Sequence, residues 1–177
     1  MLDEAQWPPL IEKEENITLE DVKFIFDQAA KKLDYTIQVA GSINNKATTL
    51  ATLLSGVLIA LIGYIISQPS IIGNSKTAIA IIAMVYVYAV GAFLLRNLVP
   101  RYYYPTGLEP HHLLKNEFFT DDFETGRRTI NLYLAVIERY QEFIVENEAQ
   151  NNKRWRNYNI SLRALIFMPL VLGTIYL

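Results

Sequence analysis

The chain has no cysteine in its 177 residues. That excludes a disulfide framework, a thiol nucleophile and a cysteine-ligated metal site, and it leaves the redox compartment undetermined. Histidine is almost missing: His111 and His112 are the only two, and they are adjacent. Metal ligands on one helix need a spacing of three or four residues to reach the same ion, whereas neighbours point to different faces. Glu109 and Glu117 lie nearby in sequence, but no ligand or general-base pattern joins them to the histidines. Two histidines in one segment cannot supply a Ser/His/Asp triad. The eight glycines are scattered, so no phosphate-cradling loop is present. We therefore expect no enzyme activity, no metal and no cofactor. The net charge of −2 comes without a basic tail, so direct nucleic-acid binding is not expected. The opening MLDEAQWPPLIEKEEN is acidic and lacks an apolar core, which argues against a secretory signal.

Acidic residues are missing where it matters most. All eighteen Asp and Glu fall within residues 1–46 or 96–163. Residues 47–67 form an uncharged run of 21, and 77–95 a second of 19. A helix of roughly 20 residues crosses a ~30 Å hydrocarbon core. The connection QPSIIGNSK is short and turn-rich, so the two runs predict an antiparallel transmembrane hairpin. A third apolar run, 160–177, holds Arg163 near its start and Pro169 near its middle. Arg163 can snorkel to the interface, and Pro169 removes one helical hydrogen bond and kinks the helix. We read this run as a tilted or partly penetrating third span.

Lys and Arg near the span ends set the orientation. Lys31, Lys32 and Lys46 precede the first run, Arg96 and Arg101 follow the second, and Lys153, Arg154, Arg156 and Arg163 precede or enter the third. The hairpin tip carries only Lys76. The N-terminus is therefore expected on the cytoplasmic side of a bacterial inner membrane, with Tyr102, Tyr103 and Tyr104 at the interface.

The charged regions also read as helix. Thr18 and Asp21 in TLED form an N-cap with a short version of the capping box. Val22, Phe26, Ala29, Leu33, Ile37, Ala40 and Ile43 then recur at helical spacing. A second stripe, Ile130, Leu134, Ile137, Gln141 and Ile144, heads towards the third run. The expected fold class is all-α: a membrane hairpin (47–95), a long cytoplasmic helical stalk built from 1–46 and 96–159, and a third C-terminal apolar helix (160–177), in one domain. The linker RYYYPTGLEPHHLLKNEFF predicts turns and one short helix at 111–118.

Within the first run, Thr48, Thr52, Gly56, Ala60 and Gly63 fall on one helical face. Lipid provides no hydrophobic drive for helix pairing, so membrane helices associate where small residues let backbones approach. That face is expected to meet protein or water. Two partners suit it: the second run through Ala78, Ala83 and Gly91, or further copies of the chain in a homo-oligomer. If copies enclose a pore, the polar stretch ENEAQNNKRWRNYN supplies its lining or gate: Asn147, Asn151, Asn152, Lys153, Arg154 and Arg156. Lipid headgroups are the competing partner for the charges.

The approach I-x-x-K-A-T (43–48) into the first run, and N-E-x-x-N-x-K (147–153) before the terminal run, resemble small bacterial membrane effectors of antiphage defence. These include two-span effectors of nucleotide-signalling systems and the membrane accessory protein of type VI-B CRISPR loci. The resemblance implies a homo-oligomeric pore or membrane perturbation that depolarises or permeabilises the inner membrane, with membrane lipid and an upstream defence-system protein as partners. Some such proteins carry an Arg–His nuclease motif spaced by four to six residues. Here the nearest preceding arginine, Arg101, lies ten residues before His111, which points to the membrane as target rather than RNA. A non-conducting anchor or adaptor that recruits a cytoplasmic partner is the alternative. A membrane enzyme acting through His111 or His112 ranks behind both.

Overall fold

The computed structural model describes residues 17–68, 75–107 and 125–176, with the side chains of 125, 170–172 and 174–176 excepted. The segment 111–118, with His111 and His112, and most of the hairpin tip lie outside the described residues. Among the described residues the chain is all-helical, with three helices and no strand: α1 (Leu19–Ser67), α2 (Ser75–Leu95) and α3 (Thr125–Tyr176).

α1 begins where the sequence predicts. The Thr18 backbone N–H donates to the Asp21 carboxylate at 3.0 Å, and the Asp21 N–H donates back to the Thr18 hydroxyl at 3.2 Å. This satisfies two of the orphaned donors of the first turn. No proline interrupts the next 49 residues, and the helix passes through Gly41 without a break. Pro69 then disfavours helical geometry at residue 68, and α1 stops at Ser67. The second uncharged run is α2. The amphipathic stripe and the terminal apolar run prove to be one continuous helix of 52 residues, which carries on through Pro169.

Two of these helices are long and apolar enough to cross a membrane. The apolar window of α1 is only 6% buried and that of α2 22%. A core helix of a soluble protein would be mostly covered. Here Leu53, Val57, Ile59, Ile62, Ile66, Val85 and Tyr88 all stand exposed. Lipid is the medium that accepts such a surface, so the pair points to a membrane location.

The described residues gather into two compact units. The first comprises Met1–Gln38 and Tyr103–Ala149. Its core is Leu33, Tyr140, Phe143 and Ile144, with Phe26, Ala29, Ala30, Tyr104 and Val136 against it. The rings of Tyr104 and Phe143 stack at 4.3 Å, and Phe26 meets Tyr133 edge-on at 5.2 Å. The α1 stripe is as predicted but gains Thr36, which is buried. On α3 one expected member changes. Gln141 is exposed and Tyr140 is buried in its place, because the contact line steps 137, 140, 144 and so follows the 3.6-residue period more closely. Gly107, at φ +97°, takes the left-handed turn that side chains avoid, and its N–H donates to the Tyr140 hydroxyl at 2.9 Å.

The second unit comprises Val39–Tyr102 and Gln150–Leu177. Ala47, Leu54, Val87, Val90 and Leu94 form its core, joined by Leu50, Ala51, Leu58, Leu61, Leu98, Tyr158, Ala164, Leu165 and Met168. The Tyr86 hydroxyl donates to the Ala164 carbonyl at 2.8 Å and ties α2 to α3. In the sequence every one of the eighteen Asp and Glu falls within 1–38 or 103–149, whereas the stretches 39–102 and 150–177 hold half of the sixteen Lys and Arg.

Candidate functional site

On α3 the contact line does not end where it turns polar. It continues through Asn147, Asn151, Arg154, Tyr158 and Ser161, again in steps of three and four. Asn147, Asn151, Arg154 and Ser161 are all buried. The six residues predicted to line a lumen therefore divide by face. Asn147, Asn151 and Arg154 turn into the chain's own packing, whereas Asn152, Lys153 and Arg156 are exposed.

Asn147 belongs to the first unit and organises it. Its amide oxygen accepts the Tyr104 backbone N–H at 3.1 Å, and its nitrogen donates to the Tyr104 carbonyl at 3.1 Å. One side chain thus pairs with a backbone amide as a second backbone would. The same nitrogen donates to the Thr36 hydroxyl at 3.0 Å, and that hydroxyl donates to the Leu33 carbonyl at 2.7 Å. An irregular segment cannot satisfy its buried backbone groups by itself, and Asn147 does so for Tyr104. The Lys32–Glu148 ion pair at 2.6 Å lies on the unit's surface and adds little.

In the second unit Arg154 plays the matching part at the end of α2. The last carbonyls of a helix lack intrahelical donors. The Arg96, Asn97 and Leu98 N–H groups tighten this end with bonds to Phe93, Leu94 and Leu95. Arg154 then donates to the Asn97 carbonyl at 2.7 Å and reaches the Asn44 amide oxygen at 3.4 Å. A cation at a helix C-terminus is also favoured by the macrodipole. The Asn97 side chain is fully buried, and its amide has no hydrogen-bond partner among the described residues. Beside this layer Val39, Ser42, Ile43, Lys46, Asn151, Asn152 and Trp155 line a cleft of about 280 Å³. The Lys46 ammonium sits 4.8 Å over the Trp155 ring, which stacks on Tyr158.

Comparison with family models, with curated proteins and with solved structures finds no match to this chain. The assignment of function rests on the chain's own surface and packing.

The small-residue face of α1 has a plain placement. Thr48, Thr52, Gly56, Ala60 and Gly63 are all exposed. A Cβ built on Gly56 or Gly63 would meet nothing within 4 Å. Of the two partners that suit this face, the second run through Ala78, Ala83 and Gly91 does not cover it among the described residues. α1 meets the core with Leu50, Ala51, Leu54, Leu58 and Leu61, and a Cβ on Gly91 would lie 3.9 Å from Leu54 Cδ1. Leucines on the opposite side of α1 make the contact. The hydroxyls on the exposed side are partnered locally: Thr52 donates to the Thr48 carbonyl at 3.0 Å and Ser55 to the Ala51 carbonyl at 2.9 Å. They do not need a neighbour's acceptor. What the face offers another helix is close approach.

Sequence reasoning missed Thr36, Asn44 and Asn97. The signal for Thr36 was its place between Leu33 and Ala40 on the stripe. Asn97 gave none, since it lies in the turn after α2.

Proposed function

We propose that the chain is a bacterial inner-membrane protein, N-terminus in the cytoplasm, that assembles with copies of itself and permeabilises the membrane as an antiphage-defence effector. The observation that carries the reading is the vacant face of α1. Five small or hydroxyl residues share one side of a helix long and apolar enough to span a membrane, and no part of the described chain covers them. Small-residue faces let helices approach closely in lipid, and the chain repeats the same face in every copy. The acidic first unit suits water, and the second unit, without Asp or Glu, suits the membrane and its boundary. Asn152, Lys153 and Arg156 reach the surface at the level where the apolar run begins, and they remain for a lumen or gate. Asn147, Asn151 and Arg154 hold each subunit's own helices in place behind them. The defence setting follows from the resemblance in layout, with an upstream defence-system protein supplying the trigger.

The mass of the detergent-solubilised protein tests the assembly. A ring of several copies is expected, together with loss of membrane depolarisation in cells when Gly56 is replaced by Leu. A monomer would overturn it. The locally bonded hydroxyls of Thr52 and Ser55 favour a second reading, a non-conducting anchor or adaptor, because lipid can then cover this face at low cost. An inserted monomer that leaves the membrane potential intact is the outcome for that reading.

A further inference from the structure

The cleft beside Lys46 and Trp155 has its own chemistry. It sits one residue before the uncharged stretch of α1 begins. The α1 wall carries a cation and a hydroxyl; the α3 wall carries two amides and an indole. The cleft contains no Asp or Glu, and neither does the sequence of the whole second unit. Lys46 faces an aromatic ring and has no anionic partner in its unit. A cleft of this polarity and charge at the edge of hydrocarbon selects a ligand with an anionic head and an apolar body.

The surface next to the cleft supplies the place for that body. Leu53 and Val57 follow Lys46 by seven and eleven residues, so they lie on the same side of α1. Ile166 follows Trp155 by eleven on α3. Leu53, Val57 and Ile166 are all exposed, and both helices leave the cleft along their apolar runs. At about 280 Å³ the cleft matches the lower end of small-molecule sites, so it holds a headgroup and not acyl chains. Trp155 has the ring-plus-N–H character that settles at a membrane interface.

We infer that this cleft binds the phosphate of an anionic phospholipid, with Lys46 as counter-charge, Ser42 as hydrogen-bonding rim, Trp155 as interfacial wall, and the acyl chains along Leu53, Val57 and Ile166. The inference rests on the membrane reading of α1 and α2. A free phosphate shares the headgroup's charge, but the apolar track beyond the cleft makes lipid the occupant.

Trp155 is its own reporter once the only other tryptophan, Trp7, is replaced by Phe. The full-length protein is reconstituted into phosphatidylcholine vesicles that contain a fixed fraction of chain-brominated phosphatidylglycerol or chain-brominated phosphatidylcholine, and Trp155 quenching is compared. Apparent affinity for the anionic lipid should exceed that for the zwitterionic one by about fivefold, the scale of one Lys at an anionic surface. Lys46→Gln should abolish the preference. Ser42→Asp should do the same while keeping Lys46, because a carboxylate four residues earlier pairs with it. Equal quenching by the two lipids overturns the site while leaving insertion intact. Retained preference in both variants overturns it as well. Loss of the preference on adding soluble glycerol phosphate at constant ionic strength assigns the cleft to free anions and overturns the lipid. Absence of quenching by either lipid overturns the membrane reading, and the site with it.

Discussion

Asn147 is the residue on which the first unit turns. It makes three hydrogen bonds, two to the Tyr104 backbone and one to the Thr36 hydroxyl, and it does so with no exposed surface. Removing one side of a buried hydrogen bond costs more than the bond contributes, because the other side is left dry. Asn147→Ala should therefore lower unfolding stability by about 2–4 kcal/mol, read from denaturant midpoints in detergent. A loss below the error of that measurement would show that Tyr104 is held by its stack on Phe143 alone. Asp21 makes a second, pH-dependent case. The Thr18 hydroxyl and then its N–H hold the Asp21 carboxyl below its ordinary value of 3.8. A lowered folded-state value means that the stabilisation is complete above the unfolded value and is lost as pH falls through the folded one. Protection of the first-turn amides of α1, taken relative to their intrinsic exchange, should fall as pH drops below 3.8 in the wild type, and Thr18→Val should flatten that fall. The sequence could name Asn147 as a polar residue kept from lipid. It could not say whether a lumen or a neighbouring backbone takes its amide, since both demand the same side chain at the same place.

Helix ends show the same limit at the next scale. The bounds of α1 and α2 were legible because each has a local cause: a cap at Thr18, a proline after Ser67, an arginine after Leu95. The length of α3 was legible only as an option, since nothing between residues 144 and 160 forbids helix and nothing there demands it. The partner of α2's C-terminus was not legible at all. Arg154 lies 57 residues from the carbonyl that it caps, and no periodicity connects them. Arg154→Gln should leave that end underpaired, at a cost of about 1–3 kcal/mol. Exchange of the amides at 95–98 should accelerate while those at 80–90 stay protected. Uniform acceleration along α2 would mean that Arg154 supports the packing of the helix and not its end. Pro169 completes the contrast. It removes one intrahelical bond, yet α3 carries on through it, and the Tyr86 hydroxyl donates to the Ala164 carbonyl five residues earlier.

At the scale of the whole molecule the decisive feature is how charge is divided. All acid lies in one unit and half of the base in the other, which has no acid. Within that second unit only Lys76 lies at the start of α2; Lys46, Arg96, Arg101, Lys153, Arg154 and Arg156 lie at the opposite ends of the apolar runs. Lys and Arg close to a span resist transfer across the bilayer, so the side with the larger number stays in the cytoplasm. In the proposed orientation the hairpin tip would emerge on the far side, and residue 75 and residue 150 would stand in different compartments. The absence of cysteine turns this into a direct measurement. Ser75 and Gln150 are each replaced by Cys, one per protein, and intact spheroplasts are treated with a membrane-impermeant maleimide. Ser75→Cys should be labelled at once and Gln150→Cys only after lysis. The reverse pattern would keep the hairpin and invert the chain. Labelling of both in intact spheroplasts, with the protein still in the membrane fraction, would mean that residues 47–95 lie on the bilayer without crossing it. The exposed leucines and isoleucines would then coat a membrane surface, and the vacant face of α1 would have no lipid environment in which close approach could drive assembly.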